Sequence, residues 1–351
     1  MRIGVLTSGG DAPGMNGAVR SLVKGGTARG HEVFGIRRGY EGLLDGDVVQ
    51  LRLADVDGIS RYGGTMLGSA RSAVFPTQEG QVAATERLDE LSLDGLVVIG
   101  GNGSLTGAHV LAQRNALNVV GLPASIDNDI GHTRLAIGVD TAVNTIVEAC
   151  DRISDTARAH RRAFIVEVMG RHCGYLAMRS GIAADADAIL YGERAEDEDT
   201  VVARLRTLLS SSFTGDRGKK RVLIVKSEGM NVTTHRLVER LQAHLETDVP
   251  GVGIRATILG HVVRGGSPSA LDRLIAQRLA LGALMALEEG VSDIMLAWEP
   301  RGAGEVTVDP SVNRVSLTDV LDETRRVLDG TSATMQGRLA LLAKAEGILA
   351  L

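Results

Sequence analysis

Ser125, Asp127 and Asp129 alternate in the stretch Gly121-Leu-Pro-Ala-Ser-Ile-Asp-Asn-Asp129. Together they offer a hydroxyl, a general base, and a carboxylate able to hold a metal ion or balance a charge. The apolar run Asn118 to Leu122 predicts a buried strand of a parallel sheet, stopped by Pro123. The loop that follows lies at the carboxyl end of that strand, where open α/β sheets place their ligands. In an extended segment the three side chains face one side. A lone Asp-x-Asp in a polar loop is ordinarily a helix cap, so the functional reading depends on what else the chain supplies.

It supplies three Gly-rich loops. Ser8-Gly-Gly-Asp-Ala-Pro-Gly-Met-Asn16 follows the predicted strand Arg2 to Thr7, so that backbone amides and a helix N-terminus can face an anion. Gly63-Gly-Thr-Met-Leu-Gly-Ser-Ala-Arg71 and Gly100-Gly-Asn-Gly-Ser104 repeat this after the next strands. Three such loops on one edge, with Arg71 nearby, point to a phosphate site. The second half adds basic residues: His160-Arg-Arg162, Arg171 in Met169-Gly-Arg171, Arg255, His261 and Arg264. Guanidinium forks suit sugar phosphates, and Glu228 is placed to accept from a sugar hydroxyl. The dinucleotide fingerprint and the P-loop motif are both missing, which speaks against a nicotinamide dehydrogenase.

The elements that must position these groups alternate strand, Gly-rich loop and helix, the pattern of right-handed βαβ units. Further strands are predicted at His31 to Ile36 and Gly95 to Ile99, with helices near Gln78 to Leu91 and Leu105 to Arg114. From Gly138 a long amphipathic helix begins, carrying Val139, Val143, Ile146, Cys150 and Ile153, with Asp140 as its N-cap. A second α/β region follows, with strands Ala163 to Val168, Ala188 to Tyr191 and Arg221 to Val225. The helix Ala270 to Leu287 and the strand Asp293 to Trp298 are expected to return to the first domain. The tail, Ser332 to Leu351, has helical spacing. The 351 residues suffice for two domains, and 44% hydrophobic with 23% charged residues is the profile of a globular protein. A net charge of −5 gives no general argument for a nucleic acid partner. Cys150 and Cys173 form no disulfide framework, and no apolar run is of membrane-spanning length. We therefore expect a cytoplasmic protein with no membrane or nucleic acid partner.

Six segments in order, TSGGDAPGMN (7–16), GGTMLGSAR (63–71), IGGNGS (99–104), LPASIDNDI (122–130), VEVMGRHCG (166–174) and RATILGHVVRGGSPSALDR (255–273), resemble the bacterial 6-phosphofructokinase family. The resemblance covers nearly the whole chain except the tail. It implies two doubly wound Rossmann-like three-layer α/β domains with mainly parallel sheets and the active site in the cleft between them. The larger, nucleotide-binding domain would be 1–138 plus 263–313, and the smaller, sugar-phosphate-binding domain 139–262 plus 314–351. The implied reaction moves the γ-phosphoryl of ATP to the 1-hydroxyl of fructose 6-phosphate, with Mg²⁺. Asp127 is then the base, Asp129 its partner in the metal and charge arrangement, Ser125 a contact to the transferring group, and Arg171 the residue that stabilises its charge. Gly10 counts with both the catalytic and the nucleotide-side residues, the latter with Tyr40, Arg71, Gly101, Asn102, Gly103 and Ser104. Ser125, Asp127, Met169, Gly170, Arg171, Glu228, His261 and Arg264 match sugar-phosphate contacts. Arg162 and Arg255 match residues that reach a neighbouring subunit's substrate, which implies a homotetramer.

Two departures qualify this picture, and a pair of small residues bears on the donor. Asn102 stands where the family usually has a metal-side Asp, and Mg²⁺ prefers carboxylate and phosphate oxygens. That leaves open a catalytically weak regulatory relative. Pyrophosphate-dependent members typically carry Asp at the position of Gly103 and Lys at that of Ala124, so the small residues here favour ATP while the pyrophosphate enzyme stays the alternative. Arg20, Lys24, Lys219 and Lys220 match part of an allosteric effector site, but Leu53 and Ser154 replace expected arginines, and Asp187 stands there in place of the usual Glu.

Overall fold

The computed structural model describes residues 1–214, 218–299 and 304–349. In chain order its elements are β1 (Arg2–Ser8), α1 (Met15–Ala28), β2 (Glu32–Ile36), α2 (Gly39–Asp45), β3 (Val48–Leu51), α3 (Gln78–Glu90), β4 (Gly95–Gly100), α4 (Asn102–Arg114) and β5 (Asn118–Pro123). Then come α5 (Val139–His160), β6 (Arg162–Val168), α6 (Tyr175–Ala183), β7 (Ala188–Leu190), α7 (Glu198–Phe213), β8 (Arg221–Ser227), α8 (Thr234–Asp248) and β9 (Ile254–Ile258). The chain ends with α9 (Ala270–Glu288), β10 (Ile294–Trp298), β11 (Glu305–Val306), β12 (Val312–Ser316), α10 (Leu317–Leu328) and α11 (Ala333–Leu349). Two compact units result, residues 1–141 with 264–327 and residues 142–263 with 328–351.

The first unit is built on an eight-stranded sheet of order β11-β12-β10-β5-β4-β1-β2-β3. Its five middle strands, β10, β5, β4, β1 and β2, run parallel, and antiparallel strands close both edges. Every residue of β4 is buried, as are all but the first of β1 and β5. That burial explains why these strands are continuous apolar runs and not alternating ones. Residues 314–327, expected in the smaller domain, belong here because β12 hydrogen-bonds along β10 from Val312 to Ser316. Arg264 falls in the first unit, within the 263–313 segment expected there.

The second unit has a four-stranded, all-parallel sheet of order β7-β8-β6-β9. Val201, Val202, Leu205, Leu209 and Phe213 of α7, with Leu237, Leu241 and Leu245 of α8, pack on Ala163, Ile165, Val222 and Ile224 of this sheet. The tail forms α11 as expected, with Ala350 and Leu351 outside the described residues. Among the described residues no helix is long and apolar enough to cross a membrane.

Three local expectations need correction. Asp140 is not the N-cap of α5 but lies in its first turn. The start of that helix is held instead by Asp272, whose carboxylate accepts from the Gly138 and Thr141 amides at 2.8 and 2.7 Å and from the Thr141 hydroxyl at 2.5 Å. Burial raises this carboxyl above the usual range, and the three hydrogen bonds pull the other way. The 63–71 loop does not follow a strand directly but leaves a short 3₁₀ helix, Ile59–Arg61. Finally, α4 begins at Asn102, three residues before the periodicity suggested. Gly101 is its N-cap in extended conformation, so the Gly-Asn-Gly-Ser segment is the helix's own first turn.

Candidate active site

The register of the first sheet brings three loops to one edge. Ser8 pairs with Gly100 and Gly100 with Pro123, so β1, β4 and β5 end side by side. A Cβ on Gly100 would lie 2.5 Å from the Ser8 carbonyl oxygen, so only glycine permits this approach. The 63–71 loop is tied to the same edge by side chains. The Thr7 hydroxyl meets that of Thr65 at 2.8 Å and donates to the Gly68 carbonyl at 2.9 Å. The Ser69 hydroxyl donates to the Gly9 carbonyl at 2.5 Å. Asn16 donates to the Tyr62 and Gly63 carbonyls at 3.1 Å each and accepts from the Met66 amide at 2.7 Å.

The reacting cluster sits at the end of β5. Asp129 receives the Asn102 side-chain amide on one carboxylate oxygen at 2.8 Å and the Ser125 hydroxyl on the other at 3.3 Å. Ser125 Oγ also accepts from the Asp127 amide at 3.3 Å. The Ser125 and Asp129 side chains meet, and Asp127 joins them through its backbone amide, but not in an extended segment. Residues 126–127 form a turn, and Asn128 adopts a left-handed backbone, φ 49°, a region Asn tolerates better than most residues. Its buried side chain donates to the Arg134 carbonyl and accepts from the Ala136 amide, both at 3.1 Å. Asn128 is a positioning residue that the alternation argument overlooked. An Asn flanked by two Asp was the available signal.

Asn102 has a second feature of consequence. Its Oδ1 is buried and has no hydrogen-bond partner among the described residues. Facing the amide nitrogen toward Asp129 is the favourable orientation, because the reverse would set two acceptors against each other. A buried carbonyl oxygen without a donor costs about 1–3 kcal/mol, so the position suits an incoming cation or water. No group of three or more His, Cys, Asp or Glu able to hold a metal occurs among the described residues. Mg²⁺ does not need one, since it is commonly held by one or two protein oxygens plus substrate phosphates and water. One carboxylate and one orphaned amide oxygen therefore fit it.

Of the remaining first-unit candidates, Gly103 opens onto free space, with no atom within 4 Å of a Cβ built there. Gly10 lies against Arg264, whose guanidinium a Cβ at Gly10 would approach to 2.8 Å; Arg264 Nη1 donates to the Asp11 carbonyl at 3.1 Å. Arg71 is exposed, with no ion pair among the described residues. Tyr40 is not a surface group. It stacks on Phe75 with ring centres 3.9 Å apart, and its hydroxyl donates to the Ser104 carbonyl at 2.6 Å, so it packs beneath the first turn of α4. Burial raises its hydroxyl above the ordinary tyrosine range.

In the second unit the carboxyl ends of β8, β6 and β9 are neighbours and carry Glu228, Met169–Arg171 and His261. The Glu228 amide donates to the Val168 carbonyl at 2.9 Å, and the Ser227 hydroxyl donates to the Gly170 carbonyl at 2.6 Å. Gly170 has φ 123°, accessible essentially to glycine, and Met169 is buried. Arg171, Glu228 and His261 are exposed. Arg162 begins β6, six residues before Val168, and Arg255 lies opposite Phe164 near the same end. At about 3.3 Å per residue, Arg162 is about 20 Å, and Phe164 about 13 Å, from Val168 at the end that leads to Arg171. The second sheet thus does not bring Arg162 and Arg255 to the edge where Arg171 lies.

Asp187 is 8% exposed and is held by Lys219 Nζ at 2.8 Å, Arg221 Nη1 at 3.4 Å and the Leu223 amide at 2.8 Å. Asp187, Lys219 and Arg221, with Arg158, Asp185 and Lys220, line a cavity of about 330 Å³. Ser154 is buried at 4% exposure and Leu53 is half exposed, and Arg20 and Lys24 lie one turn apart on α1.

A family model described as phosphofructokinase matches residues 2–287. An ATP-dependent 6-phosphofructokinase of Thermotoga neapolitana is 49% identical over 296 residues, covering 84% of this chain and 89% of that protein. One from Enterococcus faecalis is 46% identical over 324 residues, covering 92% of each. Among solved structures, phosphofructokinase from Saccharomyces cerevisiae superposes with a TM-score of 0.84 at 32% identity. That match covers 97% of this chain, which spans half the length of the yeast chain.

Proposed function

The chain belongs to the phosphofructokinase family, and from that premise we propose that it transfers the γ-phosphoryl group of ATP to the 1-hydroxyl of fructose 6-phosphate, a kinase step of glycolysis. The observation that carries ATP over pyrophosphate is the open space beside Gly103 at the N-terminus of α4. A nucleotide's α-phosphate needs that space, and an aspartate there would repel it. Curated relatives named ATP-dependent support the same choice.

Phosphoryl transfer depends mostly on positioning and charge stabilisation. Asp127 takes the proton from the 1-hydroxyl as its oxygen bonds to the γ-phosphorus and ADP leaves. Ser125 touches the transferring group, and Asp129 keeps its place through the bonds from Ser125 and Asn102. The first-turn amides of α4 face the donor phosphates, as helix N-termini favour anions. Arg171 offsets the charge on the group in transit. Asn102 Oδ1 and Asp129 would hold Mg²⁺, which when bound neutralises part of the donor's phosphate charge. Met169, Gly170, Glu228, His261 and Arg264 contact the sugar phosphate. Arg162 and Arg255 serve a neighbouring subunit in a homotetramer, a reading supported by their separation from Arg171 along β6. Mass determination in solution tests the tetramer.

The test of the reaction is product formation from fructose 6-phosphate and Mg²⁺, with ATP and pyrophosphate offered separately. Fructose 1,6-bisphosphate from ATP alone is expected. Product from pyrophosphate alone would overturn the use made of Gly103 and Ala124. Binding of both ligands without turnover would favour the second reading, a regulatory relative, which the loss of a carboxylate at Asn102 keeps in view.

A further inference from the structure

The C-terminal helix lies beyond the residues matched by the family model, yet it packs against α6 and β7 of the second unit. Met335 and Leu342, seven residues apart, are its buried anchors. Arg338, midway between them, reaches the turn that follows Arg171. Its guanidinium carbon lies 4.6 Å from the centre of the Tyr175 ring, and Nη1 is 3.9 Å from Cys173 Sγ. Cys173 is 2% exposed, and its carbonyl oxygen is the atom a Cβ on Gly170 would strike at 2.5 Å. Cys173 and Gly170 are therefore in backbone contact across the short turn that contains Arg171. A second tie runs from the end of the helix: Arg194 Nη1 donates to both Glu346 oxygens at 2.9 Å, and neighbouring Glu193 accepts from the Gly174 amide at 2.7 Å.

We propose that Arg338 is a positioning residue, through which α11 fixes the turn at Cys173 and Tyr175 and hence the direction of Arg171. This rests on Arg171 and its loop serving the sugar phosphate. A guanidinium over an aromatic face is held by the ring's negative face, and the planar fork is not reproduced by an ammonium group.

The experiment is steady-state kinetics with both substrates for Arg338→Ala, Arg338→Lys, Glu346→Gln and Arg171→Ala, with thermal midpoints measured alongside. We expect Arg338→Ala to raise KM for fructose 6-phosphate about fivefold and to leave KM for ATP unchanged. Lys should restore part of the loss. Glu346→Gln weakens the Arg194 contact and keeps the Glu193–Gly174 hydrogen bond, so it should lower the midpoint while KM stays at the wild-type value. A wild-type KM for fructose 6-phosphate in Arg338→Ala would overturn the proposal, as would equal increases for both substrates. So would a Glu346→Gln enzyme that reproduces the Arg338→Ala effect, since loosened packing alone would then suffice. If Arg171→Ala keeps its sugar-phosphate KM, the reading of the loop fails first and takes the proposal with it. A failure of the proposal alone leaves Arg171→Ala impaired.

Discussion

The carboxyl edges of the two sheets hold their charged groups differently. In the first unit Ser125, Asp129 and Asn102 are bonded to one another and half-buried, and glycine brings the underlying strands into contact. In the second unit Arg171, Glu228 and His261 are exposed, and hydrogen bonds hold the backbone beneath them. Chemistry needs geometry set before the substrate arrives, because reorganisation at the moment of reaction adds to the barrier. Recognition of a charged, flexible sugar phosphate tolerates side chains that settle on binding. On this account the first edge sets the proton transfer and metal geometry that govern kcat, while the second sets KM for the sugar and adds to kcat only through Arg171.

The largest effect that bears on this contrast is expected at Asp127. Asp127→Asn keeps the shape and removes the base, so kcat should fall about 10²–10⁴-fold. A fall of less than tenfold in steady-state assays would take the base role from Asp127. Next, Gly103→Asp places a charge in space that is sterically open, so folding should be unaffected. KM for ATP should rise about tenfold through repulsion of the α-phosphate, and a nucleotide titration at fixed sugar phosphate reads this directly. An unchanged value would mean that the nucleotide does not pass Gly103. The smallest change is Asn102→Asp. It replaces a donor to Asp129 with a second carboxylate, which repels Asp129 unless a cation lies between them. The rate at limiting Mg²⁺ should rise a fewfold, about 0.5–1 kcal/mol. Unchanged Mg²⁺ dependence would show that Asn102 is not where the metal is felt.

What the sequence disclosed follows the range of the interactions. Strands β1, β4 and β5 were legible as apolar runs, and their loops as glycine clusters, because both signals are local. The Arg264–Asp11 contact and the Asp272 cap of α5 were not, since each joins residues more than a hundred positions apart. The family resemblance put Tyr40 on the nucleotide side, and its stacking on Phe75 and its bond to the Ser104 carbonyl under α4 were not legible from its neighbours in sequence. The start of α4 was placed late because Gly-Asn-Gly reads as loop, whereas Gly101 in extended conformation serves as the cap. The 125–129 segment shows the reverse. Alternation singled out Ser125, Asp127 and Asp129 as if on a strand, whereas a turn, with Asn128 in a left-handed conformation, runs between them.

The most direct test of the division between the edges is equilibrium binding of fructose 6-phosphate, without nucleotide, to Asp127→Asn and Glu228→Gln. The account predicts that Asp127→Asn binds within about threefold of wild type while turnover collapses, and that Glu228→Gln loses about tenfold in affinity with kcat changed little. If Asp127→Asn loses binding in step with turnover, or Glu228→Gln binds as wild type, the two edges do not divide the work in this way.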